Sequence, residues 1–231
     1  MSFVVTPPAI PSIPVVGESA RFPIHRMYCV GRNYEEHAKE MGHTGREAPF
    51  FFMKPADAAL VAEAGQTVAM PYPTLTSNLH HEVELVVAIG KGGANIAAAD
   101  AHQHIYGYAV GLDMTRRDLQ NEMKKQGRPW CIGKGFDFSA PIGPITPAAQ
   151  VPGIHSAAIA LQVNSLDRQR STIAKLIWNI AETIEQLSAA WTLQPGDLVF
   201  TGTPEGVGAV VRGDVLLASV DGLQPLQVQL V

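Results

Sequence analysis

Glu82 and Glu84 stand two residues apart in His80-His81-Glu82-Val83-Glu84-Leu85-Val86-Val87-Ala88-Ile89. From Val83 the stretch is β-branched and aliphatic and ends at Gly90-Lys91-Gly92-Gly93, which predicts a strand followed by a turn. Side chains two apart in a strand share a face. The two carboxylates therefore project together beside Val86 and Ala88, while Val83, Leu85, Val87 and Ile89 face the other way. Two such charges about 5 Å apart repel by roughly 3 kcal/mol at an effective dielectric of 20. A shared proton, a basic partner or a hard cation with oxygen ligands would offset that repulsion. The plainer alternative is an edge strand with both glutamates in water.

Further residues carry chemistry of their own. His37 and Glu40 are three apart on a helix predicted from Tyr34 to Met41, with Asn33 as N-cap, Glu36 completing a capping box and Gly42 as the stop. A carboxylate beside an imidazole fixes its tautomer and raises its basicity, which outlines a general base. An ordinary exposed His–Glu pair is the alternative. Arg117 and Gln120 lie three apart near the start of a helix that Thr115 would cap, and could cradle a carboxylate. The alternative is a surface Arg117 paired with Asp118 or Asp113. Lys134 sits in an apolar stretch between Gly133 and Gly135 and either faces a site or snorkels outward. Lys54 ends the aromatic run Phe50-Phe51-Phe52-Met53, a run expected to be buried, and faces either solvent or a site.

The elements that must position these residues follow in order. Residues 1–24 hold Pro7, Pro8, Pro11, Pro14 and Pro23, so they read as an extended arm rather than a helix. Its Phe3, Val4, Val5, Ile10 and Ile13 suit packing on the body or on a second subunit. Arg26–Val30, Ile105–Leu112, Trp130–Phe136, Ile159–Asn164 and Leu198–Phe200 read as strands. Asp113 follows the second of these, a polar loop over Ser165–Ser171 follows the fourth, and Thr201-Gly202-Thr203-Pro204 follows the last. Asn179 and Glu182 form a capping box ahead of a stripe at Ile180, Ile184, Leu187 and Trp191. The Gly-rich loop 201–208 lacks the Gly-Lys-Ser/Thr of a phosphate loop, and no helix follows it.

A chain of 231 residues, 46% hydrophobic and 16% charged, can bury one sizeable core, and residues 25–231 read as one strand-rich α+β domain behind the arm. A net charge of −4 offers no footprint for nucleic acid or an anionic membrane. Cys29 and Cys131 each lie in an apolar run and read as buried free thiols of a reducing compartment. With no signal-peptide pattern and no apolar run of spanning length, a cytoplasmic protein is the expectation.

Gly31-Arg32-Asn33-Tyr34 with His37 and Glu40, Asn78-Leu79-His80-His81-Glu82-Val83-Glu84-Leu85, Leu112-Asp113-Met114-Thr115 with Arg117-Asp118, Gly133-Lys134, and Thr201-Gly202-Thr203-Pro204 with Gly206-Val207-Gly208 come in that order. Together they resemble the fumarylacetoacetate hydrolase family. The arm and Arg116–Gln120 are most similar to its bacterial branch acting on fumarylpyruvate in gentisate-type aromatic degradation. The resemblance implies a mixed β-roll fold with a few flanking helices, a catalytic domain over 25–231 and a homodimer. It implies a metal on Glu82, Glu84 and Asp113, with His37 and Glu40 as a water-activating dyad on a lid. It also implies Lys134 in the site and Arg117, Gln120 and Thr203 near substrate. Three carboxylates with no His or Cys ligand select Mg²⁺, with Mn²⁺ or Ca²⁺ as alternatives. The implied activity is hydrolysis of a carbon–carbon bond in an acylpyruvate, fumarylpyruvate giving fumarate and pyruvate. Oxaloacetate decarboxylation or keto–enol isomerisation on the same metal is the alternative. The chain has Ser165 where the family often has the Gly of Val-Asn-Gly, and Ser171 where it often has Gly.

Overall fold

The computed structural model describes residues 2–36 and 46–231. Every residue of Val83–Ile89 is buried, which requires cover on both faces of its sheet. The strand lies inside an eight-stranded mixed sheet. Its order is Phe50–Lys54, Met27–Gly31, Leu198–Phe200, Val83–Ile89, Ile105–Leu112, Ala140–Ile142 and Ala59–Val61, with Thr146–Pro147 paired beside Ile105–Leu112. A five-stranded sheet covers one face, in the order Leu166–Thr172, Ala158–Val163, Val215–Val220, Leu226–Leu230 and Thr67–Met70. Val83, Leu85, Val87 and Ile89 enter one core with Ile159, Leu161, Leu216 and Val228 of that second sheet. Val86 and Ala88 enter another with Ile13, Phe22, Ile24 and Met27. The period-two reading of this strand therefore holds, and the edge-strand alternative falls.

The Pro-rich arm divides. Ser12–Pro14 pairs with Arg21–Pro23, and this hairpin buries Ile13, Val15, Phe22 and Ile24 on the body. Phe3, Val4, Val5 and Ile10 are exposed.

Three expectations are corrected. Trp130–Phe136 is not a strand: Cys131–Lys134 is one helical turn. Gly133 lets that turn close on the helix Arg117–Lys125, where a Cβ would meet the Gln120 backbone nitrogen at 2.9 Å. The turn exposes Cys131, whereas Cys29 is buried as expected. Second, Ser165–Ser171 is not a loop but the body of the strand Leu166–Thr172. Asn164 and Ser165, with φ of 52° and 65°, make the two-residue turn that pairs Val163 with Leu166. Third, Thr115 is not a helix cap, and the helix Arg117–Lys125 has no side-chain cap. Thr115 pairs with His80 in a short strand and donates through its hydroxyl to the Asp113 carbonyl at 3.1 Å. Asn33 also clamps Trp178 and Thr201, donating to their carbonyls at 2.9 and 2.8 Å and accepting from the Trp178 N–H at 2.8 Å, while most of the helix read over Tyr34–Met41 and its stop at Gly42 lie outside the described residues. The Asn179–Glu182 capping box is present as read. No helix among the described residues is long and apolar enough to cross a membrane.

Candidate active site

Strand register brings the three carboxylates together. Val83 pairs with Leu112 and Glu84 with Gly111, so Asp113, just past its strand, lands beside Glu82. The Asp113 N–H donates to the Glu82 carbonyl at 2.9 Å. Glu82, Glu84 and Asp113 are buried, and each offers an oxygen within 4.8 Å of the others. Burial, reinforced by the Asp113 and Glu82 charges, pushes the Glu84 carboxyl well above its ordinary range.

Basic groups answer two of the three charges. The Lys134 ammonium lies 2.8 Å from Glu82 Oε2 and 2.6 Å from Asp113 Oδ2. Burial would discharge Lys134, but the Asp113 and Glu82 carboxylates outweigh it and raise its pKa. Arg117 Nη2 pairs with Glu82 Oε1, while its Nη1 donates to Gln120 Oε1 at 2.5 Å. Glu84 has no basic side chain at ion-pair distance among the described residues and accepts from the Gly202 N–H at 2.7 Å. Asp113 Oδ1 has Lys54 Nζ at 2.8 Å but off the hydrogen-bond line, so it keeps an open lone pair. An all-oxygen donor set with an under-compensated Glu84 and an open Asp113 oxygen fits a hard divalent cation.

One pocket is lined by Glu82, Glu84, Asp113, Arg117, Gln120, Lys134 and Thr203, the seven expected site residues that fall within the described part of the chain. Its remaining wall includes Arg32, Phe50, Phe52 and Trp130. His37 and Glu40 lie outside the described residues. Lys134 thus faces the site rather than snorkelling, and Arg117 is buried against Glu82 rather than paired at the surface.

Sequence reasoning left Lys54 undecided and missed the aromatic wall. Lys54 is 1% exposed and holds Asp113, the Met114 carbonyl at 3.1 Å and the Lys134 carbonyl. A lysine closing an apolar run just before Pro55 is the signal that could have placed it. Phe50 and Phe52 are only partly buried because they face the pocket, with ring centroids 5.3 and 5.9 Å from Trp130. His80 was also missed. Burial and the Arg117 charge push it down to about 4, so its neutral ring accepts from Arg117 Nε at 3.4 Å and donates to Asn78 Oδ1 at 2.9 Å.

The family model for the C-terminal domain of fumarylacetoacetate hydrolase matches residues 26–231. The chain belongs to the fumarylacetoacetate hydrolase family. A fumarylpyruvate hydrolase of Ralstonia is 50% identical over 177 residues, 77% of this chain and 90% of that protein. A mitochondrial oxaloacetate tautomerase of Rattus norvegicus is 43% identical over 195 residues, 84% of this chain and 86% of its own. The crystal structure of fumarylpyruvate hydrolase from Pseudomonas aeruginosa, in complex with Mn²⁺ and pyruvate, is 57% identical. It superposes with a TM-score of 0.98, covering 100% of this chain and 99% of that one. The strand-rich architecture described above is therefore the fold of the fumarylacetoacetate hydrolase family, and the expected fold class stands.

Proposed function

We propose that this member of the family is a hydrolase acting on the carbon–carbon bond of an acylpyruvate, with fumarylpyruvate as substrate and fumarate and pyruvate as products. The observation that carries the reading is one pocket holding the buried carboxylate trio with Arg117, Gln120, Lys134 and Thr203, in a chain so close to a fumarylpyruvate hydrolase over its full length. Mg²⁺ held by Glu82, Glu84 and Asp113, with Mn²⁺ or Ca²⁺ as substitutes, would supply Lewis-acid polarisation of the substrate oxygens.

In this reading the chain's own groups do the rest. Arg117, Gln120 and Thr203 bind and orient the 2-oxo acid end. His37, oriented by Glu40, takes a proton from water, and the hydroxide adds to the acyl carbonyl carbon. The bond from that carbon to the pyruvoyl fragment breaks, and its electron pair leaves with the fragment. A proton added to the fragment at the broken bond completes pyruvate, so one water is consumed and nothing is oxidised. Lys134 stabilises the developing oxyanion.

Purified protein is to be given fumarylpyruvate with and without Mg²⁺, and pyruvate, fumarate and CO₂ measured. Metal-dependent pyruvate and fumarate in equal amounts is the expected result. A protein that leaves fumarylpyruvate intact overturns the reading. The likeness to oxaloacetate tautomerases favours a second one, keto–enol exchange of oxaloacetate at the same carboxylates. The two separate at their products: hydrolysis turns fumarylpyruvate into pyruvate and fumarate, whereas keto–enol exchange of oxaloacetate changes its enol absorbance without forming pyruvate or CO₂. A homodimer is part of the proposal, supported by the apolar Phe3, Val4, Val5 and Ile10 left exposed on one chain. Sedimentation at a single-chain mass would reject it.

A further inference from the structure

We propose that Gln169 is a positioning residue that holds the Thr203 hydroxyl as a hydrogen-bond donor toward substrate. The proposal rests on the reading above, in which Thr203 faces the 2-oxo acid.

Gln169 is 1% exposed, on the strand Leu166–Thr172 at the edge of the five-stranded sheet. Gln162 pairs with Asp167 but Leu161 with Gln169, so Arg168 is an extra residue and the strand bulges there. The bulge precedes an alternation in which Gln169 and Ser171 turn inward while Arg170 stays out. The loop that carries Thr203 closes on that bulge. Gly206, with φ of 89°, packs against the Arg168 carbonyl so closely that a Cβ would overlap it.

The amide of Gln169 then uses all four of its hydrogen-bonding positions. Its Oε1 accepts from the Val83 N–H at 3.1 Å and from His81 Nδ1 at 3.0 Å. Its Nε2 donates to the Pro204 carbonyl and to Thr203 Oγ1, both at 2.8 Å. The amide cannot be flipped, because a backbone N–H only donates and a carbonyl only accepts. His81 is therefore fixed with its proton on Nδ1. More usefully, Thr203 Oγ1 is an acceptor toward Gln169, so its own proton must point elsewhere. No acceptor among the described residues takes that proton, and Thr203 lines the pocket. One amide thus ties the strand between Glu82 and Glu84 to the loop that carries Thr203 and sets the polarity of that hydroxyl. A donor is what a carboxylate or carbonyl oxygen of a 2-oxo acid requires.

The test compares the wild type with Gln169→Glu, Thr203→Val and the double variant, loaded with Mn²⁺. Pyruvate binding is followed by calorimetry and acylpyruvate hydrolysis by kcat and KM. In Gln169→Glu the introduced carboxylate would still accept from the Val83 N–H, but its second oxygen would draw the Thr203 proton away from the pocket. Gln169→Glu is expected to weaken pyruvate binding about tenfold, the scale of one lost hydrogen bond, and to raise KM more than it lowers kcat. In the Thr203→Val background the same change should add less than about twofold, since its target is gone. Equal losses in both backgrounds would overturn the proposal and leave Gln169 a structural residue, as would unchanged pyruvate affinity in Gln169→Glu. Should Gln169→Glu fail to fold, Thr203→Val decides alone: unaltered pyruvate affinity there overturns the donor role. A wild type that binds pyruvate but hydrolyses no acylpyruvate overturns the reading of the reaction while the binding arm still decides the role of Gln169. A wild type that binds no pyruvate overturns both.

Discussion

At the scale of single residues, Glu84 and Lys54 act on the carboxylate cluster in opposite senses. Glu84 is buried beside two like charges, and among the described residues its only hydrogen bond comes from a backbone N–H. Glu84→Gln should therefore raise the melting temperature of the metal-free protein while removing measurable divalent-cation binding, and calorimetry with and without Mn²⁺ reads both. Lys54 holds Asp113 from behind the pocket. Partners of this kind are worth about 10–100-fold in metal affinity, so Lys54→Met should weaken Mn²⁺ binding by about that factor in a titration. Removing the proposed base by His37→Ala should cost about 10²–10⁴-fold in hydrolysis. A loss of only a few-fold would remove the residue from the mechanism. The carboxylate pair was legible at this scale because a Glu-x-Glu on an apolar strand is self-conflicting without compensation. Lys54 was not, since a lysine that closes an aromatic run looks the same whether it turns out to water or in to Asp113.

At the scale of elements, the turns carry the strain. Ser165 adopts a left-handed conformation, at a cost of roughly 1–2 kcal/mol for a residue with a Cβ. Ser165→Gly should therefore raise the melting temperature by roughly 2–4 °C without changing activity, because Ser165 is not among the residues that line the pocket. Gly202 is the opposite case: its φ is 101°, and a Cβ would stand 2.7 Å from that of Asn33. Gly202→Ala should shift the loop that brings the Gly202 N–H to Glu84 and Thr203 to the pocket. Activity is expected to fall more than about tenfold, with roughly 1–3 kcal/mol lost in stability, measured by kinetics and urea unfolding. The strand at Leu166–Thr172 and the turn at Cys131–Lys134 escaped sequence reading for local reasons. A strand with Gln169 and Ser171 inward and Arg168 and Arg170 outward is polar on both faces. A helical turn of four residues shows no period at all.

At the scale of the whole molecule, stability should couple to pH and to metal. His80 has a folded pKa of about 4 against an ordinary 6.5, because burial and Arg117 disfavour its charge. Between those values the unfolded chain binds the proton and the folded one does not, so the folded state is penalised increasingly as pH falls from 6.5 toward 4, and the penalty is absent above 6.5. Glu84 has the reverse sign, its raised carboxyl favouring the fold as pH falls. His80→Gln should therefore flatten the pH 4–6.5 stability profile of the metal-free protein. A profile identical to wild type in thermal melts would show that the half-buried His80 is not held neutral. Divalent cation at 100 times its Kd should add about 2.7 kcal/mol, and that gain should vanish on chelation.

By itself the sequence determined which residue types could do chemistry here, and which of them share a strand face, because side-chain alternation is a local property of the backbone. Motifs strung in order along the chain also sufficed for the family and the α+β class. Only the tertiary structure decided how the opposing charges pair. Arg117, Lys134 and Lys54 meet Glu82 and Asp113 from three separate elements, and contact across a fold depends on register and packing that no single segment encodes. The same holds for Gln169, a lone polar residue in a polar stretch. It acquires meaning only when a bulge turns it between the strand of the carboxylates and the loop of Thr203.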